Sequence, residues 1–328
     1  MKTYVTPTRR VAGGEVAVAA EVVLDRFGLS KRDTFLVVCN PETVEIATAL
    51  ADAAGTRTDN VGINEFLPTS RDGEEPPTAV AAAMREASAI AILTRHSLSH
   101  TRARMVATQD GARIASMPGI TVGIFARTIA IDYAHLERVG RKVASKLTNS
   151  EVCRITAPGG TELELSLRGR EAIWDDGDLR AHAAWGNLPA GEAFIAPIEG
   201  EASGKIVFDG SLAGWGLLDK PLSVELERGR AITTAGGPAA EWLLETLDAG
   251  GENGRTIAEL GIGTNPGATI TGVILEDEKA EGTVHFAFGA NNGFGGASEA
   301  SVHIDGLVRD AEVEVDGCPL LRDGRLLG

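Results

Sequence analysis

Ala89-Ile90-Ala91-Ile92-Leu93-Thr94 is a short, unbroken apolar run, and it decides how the first half of the chain is read. A run that does not alternate with polar residues marks a strand covered on both faces, as in a parallel sheet between helices. A helix-patterned segment over residues 77–87 precedes it, and the same alternation extends outward in both directions. Residues 14–27 have helical spacing, 34–39 form a β-rich run, and 41–54 return to helical periodicity. Residues 111–117 and a helix over about 128–147 complete the pattern. Such alternation predicts a layered α/β domain over residues 1–148 with a parallel, Rossmann-like sheet. Val37-Val38-Cys39-Asn40-Pro41-Glu42 runs straight into a helix, so the glycine fingerprint of dinucleotide binding is absent. No Walker A sequence is present either, which leaves this domain as a scaffold or lid.

From about residue 150 the pattern changes. Short alternating segments at 152–156, 162–167, 205–209 and 222–227 are separated by glycine-containing turns, as expected of half-buried antiparallel strands. One helix, over about 238–248, interrupts them. Residues 149–328 are therefore expected to form a β-rich α+β domain.

The 328 residues suffice for two ordinary domains, and 43% hydrophobic with 23% charged residues describe a globular chain. A net charge of −15 without a basic run argues against nucleic acid as a partner. Cys39, Cys153 and Cys318 are odd in number and far apart, which fits reduced thiols rather than a disulfide framework or a thiolate metal site. Met1-Lys2-Thr3-Tyr4-Val5-Thr6-Pro7 does not read as a leader, and no window is long and apolar enough for a membrane span. A cytoplasmic protein with no membrane partner is expected.

The chemistry concentrates in the second half. His303-Ile304-Asp305 lies in a strand-like segment, where residues two apart project from the same face, so the imidazole and the carboxylate form a ready pair of metal ligands. His285 sits in the similar segment Gly282-Thr283-Val284-His285-Phe286. Glu192 and Glu259 each stand in apolar, glycine-rich surroundings, where an isolated carboxylate is costly unless paired or metal-bound. Plainer roles are open to them: Glu192 can cap a turn, the glycines after Glu259 can serve a bulge, and His303 with Asp305 can be a structural pair. Glu276-Asp277-Glu278-Lys279 reads as a solvated turn, with an orienting role toward His285 as its alternative. Asn291-Asn292-Gly293 with Gly295-Gly296 forms a loop able to approach a substrate closely. In the first half, His96, His100, Arg102 and Arg104 follow the buried strand at its carboxyl end, where open α/β sheets place ligands. Arg102 and Arg104 are candidates to grip a substrate carboxylate.

The segments Asn187-Leu188-Pro189-Ala190-Gly191-Glu192, Glu259-Leu260-Gly261-Ile262-Gly263, His285-Phe286-Ala287-Phe288-Gly289 and His303-Ile304-Asp305 resemble, in that order, the metal-binding segments of the M29 metallopeptidases, the aminopeptidase T family. The likeness extends to the stretches 94–104 and 111–119. It implies a homodimer with two divalent ions per chain, held by Glu192, Glu259, His285, His303 and Asp305, one carboxylate bridging them. Oxygen and imidazole ligands suit Zn, Mn, Co or Fe. The activity implied is removal of N-terminal residues from small peptides by a metal-bound hydroxide, with Glu192 and Asn292 in catalytic positions. Asn292 departs from the family pattern, which has tyrosine there; asparagine can donate to an oxyanion but cannot transfer a proton.

The wider family resembles the 2,5-dihydroxypyridine dioxygenases and an aromatic-amine hydrolase, so a metal-dependent enzyme of small aromatic or heterocyclic compounds is the alternative. In the dioxygenase pattern histidine replaces Glu259 and an apolar residue replaces His285. This chain has the peptidase-like residue at both positions, which favours hydrolysis. A third reading, motivated by Asn292, is a metal-dependent binding protein without turnover.

Overall fold

In the computed structural model residues 13–327 are described, and they divide into two compact units. The segment Met1–Pro7, read above for a leader, lies outside the described residues. The first unit runs to Asp132 and takes in Gly177–Ala190; the second comprises Tyr133–Asp176 and the chain from Gly191 onward. This is not the single cut near residue 148 that the sequence suggested. The helix Tyr133–Thr148 turns Val143, Ala144 and Leu147 into the core of the second unit, and the strand Trp185–Asn187 returns to the sheet of the first. Helical periodicity shows that a face is buried but does not name the element that buries it.

The first unit holds a five-stranded, wholly parallel sheet in the order Val61–Glu65, Phe35–Cys39, Ala89–Leu93, Arg113–Ser116, Trp185–Asn187. Phe35–Cys39 and Ala89–Leu93 are buried at every position, as unbroken apolar runs require. The helix expected over about 128–147 is two helices, Val122–Ile129 and Tyr133–Thr148. Thr121 starts the first by accepting from the Ile124 amide at 3.2 Å, and Ala130 leaves helical dihedrals at φ −85°, ψ 64°.

The second unit contains two antiparallel sheets. One has eight strands in the order Arg230–Ala235, Leu222–Glu227, Ala202–Phe208, Glu162–Ser166, Val152–Thr156, Glu312–Val315, Cys318–Arg322, Arg325–Leu326. The other has seven: Gly216–Leu217, Ser211–Leu212, His303–Val308, Val284–Gly289, Ile257–Gly263, Glu192–Ile195, Ile173–Asp175. Alternate residues of the seven-stranded sheet, among them Ile195, Leu260, Ile262, Phe286 and Phe288, join Ile155, Leu163, Leu165 and Val224 of the other sheet in one core. Each such side chain contributes roughly 1.5–3 kcal/mol on leaving water. Phe208 and Phe288 meet edge to face at 6.4 Å, and Phe208 fills the space over Gly306, where a Cβ would lie 2.6 Å from its ring. That packing leaves the opposite face of the seven-stranded sheet for other work.

Candidate metal centre

Strand register brings the polar residues together. His303 lies opposite Gly289, Asp305 opposite Ala287, Ala287 opposite Glu259, Gly261 opposite His285, and Gly263 opposite Glu192. Residues directly opposite in a ladder point to the same side, so the five expected ligands share one face of the sheet. Small residues, Gly261, Gly263, Ala287 and Gly289, stand between them.

Two local features make this arrangement work. Ile257 and Glu259 are two apart and would share a face in a regular strand, yet Ile257 is in the core and Glu259 in the polar group. A bulge between them changes the pairing and re-aims Glu259. Gly261 leaves its Cβ space to the His285 ring, whose Nε2 is 1.9 Å from where that atom would stand.

Two groups of three donors result, with ligand atoms in each group within 4.8 Å of one another: Glu259, His303 and Asp305, and Glu192, Glu278 and His285. His303 Nε2 lies 3.4 Å from Glu259 Oε2 and 3.5 Å from Asp305 Oδ1. His285 Nε2 lies 3.2 Å from Glu192 Oε2 and 3.3 Å from Glu259 Oε1. Glu259 thus turns one oxygen to each histidine. Donors sharing one ion at bonds of about 2.0–2.2 Å stand roughly 3.0–3.5 Å apart, so these spacings fit a common cation. His303 Nδ1 is 2.8 Å from the Ala290 carbonyl, which accepts its proton and leaves Nε2 as the donor toward a metal. Glu192 Oε2 is buried without a hydrogen-bond partner among the described residues. The donor set fits divalent ions.

The electrostatics agree. Burial pushes the imidazole of His285 down, but Glu192 and Glu259 outweigh it and hold that group well above its ordinary value. His303 is held well above its ordinary value in the same way, with Asp305 and Glu259 overcoming the cost of burial. Burial raises Glu192, Glu259 and Asp305, and neighbouring cations more than reverse it: Lys279 for Glu192, His285 for Glu259 and His303 for Asp305. All three end below the usual carboxylate range. Negative charge in excess of the lysine is what draws protons onto the imidazoles, and a bound cation would replace those protons.

Glu278 and Lys279 correct the sequence reading. The run Glu276–Lys279 is buried throughout, not a solvated turn. Glu276 and Asp277 are consumed in fastening the preceding loop: the amides of Thr269, Thr271 and Gly272 donate to them at 3.0, 2.6 and 2.8 Å. Glu278 supplies a donor to the His285 group, and burial pushes its carboxyl up to about 8 against the pull of Lys279. Lys279 is fully buried, with Nζ 2.9 Å from Glu192 Oε1 and paired with Glu278 Oε1. Burial would strip its proton, but Glu192 and Glu278 keep it charged.

Comparison with known proteins places the chain in a family. The model of the NicX family, described as 2,5-dihydroxypyridine 5,6-dioxygenase, matches residues 19–328. The chain belongs to the NicX family. The expected likeness to aminopeptidase T also holds. The chain is 31% identical over 195 residues to aminopeptidase T of Thermus aquaticus, covering 51% of this chain and 47% of that protein. To the Thermus thermophilus protein of the same name it is 31% identical over 165 residues, covering 42% and 40%. These matches thus span less than half the length of those relatives. Among solved structures, 2,5-dihydroxypyridine dioxygenase from Pseudomonas putida KT2440 superposes with a TM-score of 0.77 at 18% identity, covering 97% of this chain and 98% of that one. Wild-type AmpT from Thermus thermophilus does so with a TM-score of 0.70 at 20% identity, covering 96% and 99%. At those identities the two structures show a shared fold.

In this NicX family member the remaining candidates lie as follows. Asn292 is exposed on the loop after the His285 strand. Its neighbour Asn291 is buried and fastens that loop, donating to Glu199 at 2.9 Å and accepting from the Ser298 amide at 2.7 Å. Phe294, which the sequence reading passed over, stands edge-on to both Phe194 and His303, with centroids 5.5 and 5.9 Å away. His96, His100, Arg102 and Arg104 are all in the first unit. His96 is 3.6 Å from Asp72, and the Arg102 amide donates to Glu75 at 2.5 Å. Arg104 is buried, donates to the Ser99 carbonyl at 2.6 Å and stacks 4.0 Å from the Trp185 ring centroid.

Proposed function

We propose that the chain is a metal-dependent hydrolase of the aminopeptidase type, binding two divalent ions and removing N-terminal residues from small peptides. The observation that carries this reading is Glu259, which presents one oxygen to each histidine-containing donor group. Divalent ions bound there supply Lewis acidity toward a carbonyl and lower the pKa of water. Glu192, Glu278 and His285 would hold one ion, Glu259, His303 and Asp305 the other. The side chain of His303 is 29% exposed while His285 is fully covered, so substrate meets the centre from the His303 side. On that side Asn292 is proposed to donate a hydrogen bond to the developing oxyanion. Anion binding by His96, His100 and Arg102 is proposed for the first unit by itself. Neither donor group is the two-histidine, one-carboxylate set of non-haem Fe(II) oxygenases, which speaks for hydrolysis. A Rossmann-like first domain, a homodimer and a cytoplasmic location belong to the same reading.

One observation favours a second reading. Phe194 and Phe294 form an aromatic wall beside His303, suited to a planar ring, and the family description names a dihydroxypyridine. A hydrolase or Fe(II) dioxygenase of small heterocycles is therefore the alternative. Metal content by elemental analysis, with turnover of a dipeptide panel under nitrogen, separates the two. About two ions per chain with oxygen-independent release of N-terminal residues supports the peptidase. Iron-dependent, oxygen-dependent ring cleavage refutes it. His303→Ala is expected to lose both metal and turnover; full activity in that variant overturns the proposal.

A further inference from the structure

Among the described residues, Lys279 brings a lysine ammonium into the donor cluster, and its position is asymmetric. Its ammonium contacts Glu192 and Glu278, both in the His285 group, and neither carboxylate of the His303 group. It cannot swing away cheaply, because the backbone on both sides is fastened. The Lys279 amide donates to the Glu276 carbonyl at 3.0 Å, and the Asn265 amide donates to the Lys279 carbonyl at 2.8 Å. Glu276 and Asp277, immediately upstream, are locked into the Thr269–Gly272 loop. The side chain is wholly buried, so water cannot take over its two carboxylate contacts.

We infer that Lys279 makes the two donor groups unequal. The first divalent ion binds at Glu259, His303 and Asp305, and the ion at Glu192, Glu278 and His285 is held more weakly. The inference rests on the reading that this cluster binds divalent ions at all. Lys279 already offsets negative charge in the His285 group and ties up one oxygen of each acid. An incoming ion there meets a fixed like charge in a poorly solvated setting, where Coulomb repulsion is least screened. It keeps Glu192 Oε2, which has no hydrogen-bond partner, and His285 Nε2 as donors. The His303 group has two carboxylates, no ammonium and access to solvent. Lys279 is therefore a positioning residue that sets the order of filling.

The test is calorimetric titration of the chelator-stripped full chain with Zn²⁺, with elemental analysis after dialysis at fixed free metal. Wild type is expected to bind in two steps, the second at least about tenfold weaker, as a like charge a few ångströms away requires. Lys279→Met should narrow that gap about tenfold or more while leaving the first step in place; Lys279→Arg should keep it. If Lys279→Met does not fold, Glu278→Gln serves instead and is expected to weaken only the second step. Two equally tight ions in wild type, or loss of the first step in Glu278→Gln, overturns the inequality and leaves the hydrolase reading intact. No binding at all removes both.

Discussion

Replacing Gly261 by alanine tests the geometry of the centre with one methyl group. The new Cβ would lie 1.9 Å from His285 Nε2 and 2.1 Å from its Cε1, where ordinary contact begins at 3.4 Å. The ring, or the strand beneath it, must retreat by about 1.5 Å, whereas metal–ligand bonds tolerate only ~0.2 Å. His285 is fully buried between Val284 and Phe286, whose side chains fix the strand from the core side, so the ring moves rather than the backbone. The variant should retain its fold at a cost of about 1–3 kcal/mol, the usual cost of overpacking. It should lose the ion of the His285 group while keeping the one at His303. Elemental analysis with thermal melting, with and without added metal, reads both effects. Gly62→Ala, whose Cβ would meet Leu36 at an ordinary 3.6 Å, is the control. Full metal content and an unchanged melting curve in Gly261→Ala would refute the placement of His285 over Gly261.

Gly306→Ala acts on the other face of the same sheet, where the Cβ would meet the Phe208 ring at 2.6 Å. It should lower the melting temperature by a comparable overpacking cost and leave metal content unchanged, so loss of metal there would contradict the division between the faces. The metal-free protein should lose stability as pH rises. His285 and His303 have folded-state values above 6.5, so their contribution is complete below that value and disappears as pH climbs through the raised ones. Glu278, raised from 4.5 to about 8, acts in the same direction across that interval. Glu192, Glu259 and Asp305 are lowered, so they contribute above their ordinary values and fail only as pH falls through the lowered ones. Melting temperatures of chelator-treated protein between pH 5 and 9 should fall toward the alkaline end, and saturating metal should flatten the trend. Metal-free stability that rises across this range would contradict the assignment.

Much of this was legible in the chain. The unbroken run at 89–94 gave a buried parallel strand, and the spacing of His303 and Asp305 gave a shared face, because both depend only on local periodicity. Glu192 and Glu259 were visible as carboxylates in apolar company. Where the helix Tyr133–Thr148 docks was not legible, since its apolar stripe serves equally in either unit. Glu278 and Lys279 were legible only as the alternative to a solvated turn, an orienting role toward His285. Four consecutive charges have the composition of a surface turn; the hydrogen bonds from Thr269, Thr271 and Gly272 to Glu276 and Asp277, with the ion pairs of Lys279, explain how the run is buried. Phe294 sits in a Gly/Asn loop whose local pattern does not indicate a partner, and its contact with His303 exists only once residues 289–303 fold back on themselves.

The two-faced sheet separates what the molecule must keep from what it can change. A substitution at Leu260, Ile262, Phe286 or Phe288 disturbs a close-packed interior, whereas one at Glu259, His285 or Ala287 acts on the opposite face of the same strands. A scaffold with that property can acquire a new reaction through a few replacements on one surface while its folding information, carried by the intervening residues, stays in place. That similar folds appear under the names of AmpT and a dihydroxypyridine dioxygenase is what such a partition of the strand would produce.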